Sequence, residues 1–349
     1  MKKKPVLINV VSGKGGTGKS LLVAILGRIL AQEGSSILLV DLDPFVRGLT
    51  HFFYLYKKER RRITDKQTIA DFFGLTRGES KSMEFARERF FEVDLIPAVS
   101  KIEEHLEYMD TTGSSKERTK ELFTSLRDMK YDFVIIDNRA GIDDMIIRCC
   151  ELSDLSLSVS EADPVARSTN DNLLRHLRDS NTAKVYTIMN KVRYVKTLRD
   201  YRESMEEIRA DYDIVGKIPF DVDLFESFGK PEFWNEANST RYAYGISEAW
   251  NKLAHREEIP TVIDLKRFPE SRIWPVKSST FASRIDRMLI ATGALFITAY
   301  FIVDRIMIRG GIHWLDLLLI YAVGLLFVPF IRSFVMGSDK EFSERKNSR

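Results

Sequence analysis

The chain has 349 residues, 44% hydrophobic and 30% charged, enough to bury a sizeable core in one large domain or two unequal ones. Its 53 basic and 50 acidic residues leave a net charge of only +3, which excludes a whole-chain electrostatic argument for nucleic acid and confines any such attraction to local clusters. The two cysteines, Cys149 and Cys150, are too few for a disulfide framework or a zinc site and read as small residues of a reduced, cytosolic protein.

No secretory leader is expected, because Met1-Lys2-Lys3-Lys4 runs straight into Val6–Val11, a short β-branched stretch that predicts a buried strand. Gly13-Lys14-Gly15-Gly16-Thr17-Gly18-Lys19-Ser20 follows and fits the phosphate-loop pattern G-x-x-x-x-G-K-[ST], and residues 21–31 have helical composition. Strand, glycine loop and helix together give the motif its chemistry. Backbone N–H groups from Gly13 through Gly15, Gly16, Thr17 and Gly18 to Leu21 can close around phosphate oxygens, and the helix N-terminus adds positive potential. Lys19 reaches the β- and γ-phosphates, and Ser20 can ligate Mg²⁺.

Gly34-Ser35-Ser36 predicts a turn and residues 37–40 a second buried strand, ending in Asp41-Leu42-Asp43-Pro44. Ligands of open α/β sheets lie beyond the carboxyl ends of the strands, so both carboxylates should face the phosphate site; the plainer alternative is a turn with capping aspartates. His51 to Tyr56 is aromatic and Lys57 to Arg62 strongly basic. That pairing suits nucleic acid or anionic lipid, or simply a solvated helix end or loop, and nothing else supports nucleic acid.

Residues 93–98 predict a strand closing on a turn, and 101–130 a charged helical stretch. Phe133-Val134-Ile135-Ile136-Asp137 has the Walker B form, with a carboxylate at a strand end where Mg²⁺ needs one, directly or through water. Asn138-Arg139-Ala140-Gly141 comes next; Arg139 could pair with Asp143 or Asp144, contact nucleotide, or face solvent. Residues 155–159 predict a weaker strand, and Pro164 suits the first turn of the following helix. Residues 185–189 and 214–220 predict further strands, the first ending at Asn190-Lys191 and the second in Gly216-Lys217-Ile218-Pro219-Phe220. A last helix runs to Leu253. Strands alternating with helices give an α/β fold with a mostly parallel sheet and helices on both faces.

Four of these motifs, in this order, resemble the ParA/MinD ATPases, a class of P-loop NTPases with a deviant Walker A loop. The extra lysine of KGGTGKS, the DLD segment, the Walker B strand and the NK/GKIP pair carry the resemblance over about residues 5–255. It implies an ATP- and Mg²⁺-dependent homodimer in which Lys14 acts in trans on the partner's nucleotide and Lys19 in cis. Asp43 would orient the attacking water, with Ser20, Asp41 and Asp137 around Mg²⁺. Gly141 would approach the γ-phosphate, Asn190 would contact adenine, and Lys191 and Pro219 would border it. Ile69 to Gly74 resembles the short helix after switch I. The chain departs from the family at Phe45, where many partitioning ATPases have glutamine, and at Asn138-Arg139, where a proline usually precedes Ala-Gly.

Residues 256–283, with prolines at 260, 269 and 275, read as a linker that could pack on the ATPase domain. Beyond it, residues 288–303 and 317–331 contain no charge. Each is roughly 23 Å long as a helix, and flanking residues extend it toward the ~30 Å of a bilayer core. We read 284–335 as a two-helix transmembrane hairpin and 336–349 as a charged cytoplasmic tail. Lys277, Arg284 and Arg287 precede the first uncharged segment and five basic residues, Arg332, Lys340, Arg345, Lys346 and Arg349, follow the second, against Arg305 and Arg309 between, so positive-inside bias places the 1–255 ATPase domain in the cytoplasm at the inner membrane. A buried helix pair in a soluble dimer is the alternative.

The leading expectation is a membrane-anchored ATP hydrolase whose ATP-dependent dimerisation recruits or releases a protein partner of unknown identity. The alternatives are a nucleotide-binding scaffold with little hydrolysis, and a bacterial tyrosine-kinase-like protein. Kinases of that kind carry their spans before the ATPase domain and a tyrosine-rich tail after it, the reverse of the order here.

Overall fold

The computed structural model describes residues 4–55, 64–76, 84–106, 114–161, 163–180, 184–192, 213–227, 230 and 233–268. All of them belong to one unit, Met1–Pro275. The strands are β1 (Val6–Ser12), β2 (Ile37–Leu42), β3 (Glu88–Phe90), β4 (Val93–Ile96), β5 (Phe133–Ala140), β6 (Leu155–Glu161), β7 (Val185–Val192) and β8 (Ile214–Pro219). They form one sheet in the order β3-β4-β2-β5-β1-β6-β7-β8. The neighbours pair in parallel except β3, which runs antiparallel to β4 at the edge.

The helices are α1 (Lys19–Gln32), α2 (Gly48–Tyr54), α3 (Ile69–Phe73), α4 (Ser114–Arg127), α5 (Asp144–Leu152), α6 (Pro164–Asp179), α7 (Val222–Ser227), α8 (Phe233–Ala237) and α9 (Arg241–Arg256). β1, β2 and β5 are apolar on both faces and buried along nearly their whole length, as central strands covered on both sides must be. α1 is buried from Leu22 to Leu30, so it is a core helix between sheet and outer elements rather than an amphipathic surface one. Its start is the site, because the sheet's middle strand feeds directly into the loop that caps it.

Three aromatics of the run, Phe52, Phe53 and Tyr54, belong to the core and so are not available as a surface for nucleic acid or lipid. They lie on α2 and are buried, with Phe53 stacked on Trp234 at a centroid distance of 5.2 Å and Phe52 edge-on to it at 4.9 Å. Burying several rings in one cluster outweighs any gain from exposing them. The basic run Lys57 to Arg62 lies outside the described residues.

Among the described residues of the charged stretch 101–130, Ser114–Arg127 are helical. Residues 101–106 form turns, in which the Glu104 carboxylate accepts from Ser100 N and Ser100 Oγ, each at 2.9 Å. α3 forms as the resemblance implies, with a Thr68/Asp71 capping box and Gly74 at its C-terminus in the left-handed conformation. β3 has no counterpart in the sequence reading. After α9 the chain folds back on it. Ile259, Ile263 and Phe268 are buried, Trp250 Nε1 donates to Thr261 O at 2.9 Å, and Arg267 Nη1 pairs with Glu33 on α1 at 2.7 Å.

Candidate nucleotide-binding site

The loop from Gly13 to Gly18 leaves the carboxyl end of β1 and enters α1 at Lys19. Gly16 and Gly18 have φ of 80° and 87°, left-handed conformations that a β-carbon would strain. Gly13 is needed for closeness instead: a β-carbon there would fall 2.4 Å from Thr169 O on α6.

A cavity of about 450 Å³ opens beside the loop, lined by Gly15 through Leu21, by Asp43 and by Asp137. The cavity also extends past the phosphate region along α2, to Val46, His51, Phe52 and Leu55, a flank the sequence motifs do not reveal.

Lys19 is buried. Burial lowers its pKa, and the negative charges of Asp137, Asp43 and Asp41 oppose that shift. The register β2–β5 sets Asp41 opposite Asp137 on neighbouring strands, and both side chains are almost fully buried. Burial pushes both carboxyls up. Asp41 is raised further by Asp137, whereas Asp137 is drawn back by Lys19 and by a hydrogen bond from Ser20.

The two aspartates differ in what they can still do. Asp41 accepts from Asp43 N at 3.2 Å through one oxygen and from Thr50 N at 2.6 Å through the other, so it shapes the turn after β2. Asp137 Oδ1 is buried with no hydrogen-bond partner, beside Ser20 and Lys19. A buried carboxylate oxygen left open costs free energy unless a cation takes it, so the donor set fits Mg²⁺. Among the described residues no three His, Cys, Asp or Glu side chains gather into a metal cage. Mg²⁺ at phosphate sites does not require one, since it uses one or two carboxylates with phosphate oxygens and waters.

Of the other expected site residues, Asp43 lines this cavity, whereas Lys14, Gly141, Asn190, Lys191 and Pro219 do not. Asp43 Oδ1 accepts from Val46 N at 3.1 Å. Lys14 points away from the loop's interior, half-exposed, toward Asp163 at the N-terminus of α6. Asn190 is fully buried behind the loop, donating to Thr17 O at 2.7 Å, and Lys191 Nζ donates to Gly16 O. Pro219 ends β8 and packs against α9, where a β-carbon on Gly245 would approach its ring to 3.0 Å. Gly141 has φ of 115°, and its N–H donates to Ser12 O at 2.9 Å, so β5 stays zipped to β1 past Asp137. Arg139 Nη2 pairs with Asp143 at 2.7 Å, one of the alternatives open in the sequence, while Asp144 pairs with Lys116 at 3.3 Å. Sequence reasoning missed Thr50, which holds Asp41 through its N–H and also accepts from Ala98 N at 2.9 Å, and missed Tyr242. Tyr242 carries no motif, and its distance in sequence from the loop leaves no signal to find.

The family model for the CobQ/CobB/MinD/ParA nucleotide binding domain matches residues 8–232, more than half of the chain. The chain belongs to that family. A septum site-determining protein MinD from Synechocystis is 26% identical over 228 residues, covering 65% of this chain and 80% of its own. The MinD of Bacillus subtilis is 24% identical over 245 residues, covering 68% and 85%. Among solved structures, MinD of Pyrococcus horikoshii complexed with Mg-ADP aligns with a TM-score of 0.53 at 21% identity, over 74% of this chain and 99% of that one. A putative plasmid partition protein of Borrelia burgdorferi bound to AMPPNP aligns with 0.54 at 21% identity, over 72% and 100%. These structural likenesses establish the P-loop NTPase fold of residues in the ATPase unit. The expected hairpin at 284–335 lies outside the described residues; among those described, no helix is long and apolar enough to cross a membrane.

Proposed function

We propose that this protein is a membrane-anchored ATPase in which ATP joins two protomers face to face, hydrolysis separates them, and a protein partner is recruited or released at the membrane. The observation that carries the ATPase part is the open, buried oxygen of Asp137 beside Ser20 and Lys19 at the mouth of a glycine loop. Mg²⁺ held there, by Ser20 and Asp137 with Asp41 behind, would neutralise phosphate charge. Lys19 adds a fixed positive charge against the β- and γ-phosphates, and the loop amides bind the same oxygens without reorganising. Asp43, on the cavity wall, orients water for in-line attack.

Lys14 supports pairing of protomers because it is half-exposed and turned out of its own site, available to a second nucleotide. A protein partner is consistent with the solved MinC:MinD complex of Aquifex aeolicus, with which the chain shares its fold at a TM-score of 0.52. The membrane part rests on the two uncharged segments 288–303 and 317–331 and on the basic residues flanking them.

A scaffold that binds nucleotide and hydrolyses it slowly is the second reading. It is favoured by Phe45 in switch I and by the commitment of Arg139 to Asp143. Two measurements test the proposal. Full-length protein should stay in the membrane pellet through high salt and carbonate, and a truncation after Lys277 should be soluble and turn over ATP. Extraction by carbonate would overturn the anchor; ATP binding with negligible steady-state turnover would leave the scaffold.

A further inference from the structure

We propose that Asn190 and Lys191 form a two-point clamp on the outside of the phosphate loop, with Tyr242 and Glu161 as the positioning residues that hold the clamp. The proposal rests on the reading of the loop as a nucleotide site. It goes beyond that reading in giving Asn190 and Lys191 a grip on the loop backbone, apart from any contact with the base.

The clamp takes two consecutive carbonyls. Lys191 Nζ donates to Gly16 O, and Asn190 Nδ2 donates to Thr17 O at 2.7 Å. A trans peptide is planar, with C=O and the following N–H pointing opposite ways. Pulling the carbonyls of Gly16 and Thr17 outward therefore turns the N–H groups of Thr17 and Gly18 toward the other side, where the cavity lies. A loop this rich in glycine has many other conformations, so an external hold is needed to keep its donors aimed before ligand arrives.

Each arm of the clamp is itself fixed. Asn190 is fully buried; its Nδ2 also donates to the Tyr242 hydroxyl at 3.2 Å, and its Oδ1 accepts from Lys191 N at 2.9 Å. With both amide hydrogens engaged, Asn190 is held at the loop by its donors, and its Oδ1 keeps one lone pair for a further donor. Lys191 has φ of 53°, a left-handed backbone rare for a lysine, and its ammonium is held from the other side by Glu161 Oε1 at 2.8 Å. Gly18 completes the fit, since a β-carbon there would lie 2.5 Å from Asn190 Nδ2. The clamp thus joins the ends of β6 and β7 and the first turn of α9 to one loop, and none of its four residues lines the cavity.

The test compares Mg-ATP with Mg-tripolyphosphate, which has the phosphates and no base, by calorimetry on full-length protein in detergent. Lys191→Ala should weaken both ligands by about tenfold, the loss of one charge-assisted bond, and Tyr242→Phe should weaken both by about fivefold. Glu161→Gln should act in the same direction, and Lys191→Arg should recover most of the loss; thermal melts check that each variant folds. Loss of ATP affinity with tripolyphosphate unchanged would overturn the clamp in favour of base contacts, and no change for either ligand would overturn it outright. Wild-type protein that binds tripolyphosphate and not ATP would sink the ATPase reading and leave the clamp measurable; binding of neither would sink both.

Discussion

Lys14 Nζ lies 3.7 Å from Asp163 Oδ2, the carboxylate whose other oxygen accepts from Ala166 N and caps α6. Both side chains are about 40% exposed at 41% and 38%, so the tether is solvent-screened and easily released. On the proposed pairing of protomers, Lys14→Ala should keep ATP affinity within about twofold while cutting turnover by at least ~10-fold, because the charge it removes would act on the other protomer's phosphates. Sedimentation velocity with ATP should show the dimer lost. Asp163→Ser keeps a helix cap and frees Lys14, and it should leave both affinity and pairing intact.

Lys19→Ala should lower ATP affinity by about 100-fold or more, since it deletes a buried charge that would make a charge-assisted contact with the phosphates. The truncated domain should remain folded by circular dichroism. Unchanged affinity in a folded variant would refute the phosphate-loop assignment.

Asp43→Ala should bind ATP normally, because the cradle and the Asp137 oxygen remain. Its turnover should fall by about 10²–10³, the range associated with losing a group that positions or deprotonates the nucleophile. Single-turnover phosphate release is the measurement, and a rate equal to wild type would remove Asp43 from the mechanism.

The paired carboxyls of Asp41 and Asp137 are both raised above their ordinary range by burial. A group raised in the folded state favours folding while protonated, and that contribution is lost as pH climbs through its folded value. Nucleotide- and metal-free protein should therefore gain from Asp137→Asn at about pH 8, where the like charges repel, and gain little at about pH 5, where the pair shares protons. Melting temperatures of the two proteins across that range would show it. Mg-ATP should reverse the order at the higher pH by binding only the wild type well.

Much of this was legible in the sequence because the central strands announce themselves. β1, β2 and β5 are short, mainly apolar runs; β1, interrupted at Asn9, leads into the glycine loop, and β2 and β5 carry Asp41 and Asp137 toward their carboxyl ends. The misread parts have physical causes. Phe52, Phe53 and Tyr54 sit next to a basic run, and sequence adjacency suggested a surface where the helix in fact turns its rings inward against Trp234. β3 is three residues long, two of them charged, and exists only because β4 offers an edge. The charge of 101–106 looked helical, yet Glu104 spends its carboxylate on the backbone and side chain of Ser100. Asn190 was visible as a site residue, but which of its neighbours it would bond depends on Tyr242, which only the folded chain brings near.

Gly13 and Thr169 share a space that has room for no additional atom. The phosphate loop and α6 are thus in hard contact at one point, and neither can shift toward the other. A methyl group at position 13 would act as a wedge, lifting the N-terminal half of α6 away from the sheet and carrying Asp163 with it. Spacing on the outer surface of the domain is in this sense gauged from within, by the one hydrogen that glycine has in place of a side chain.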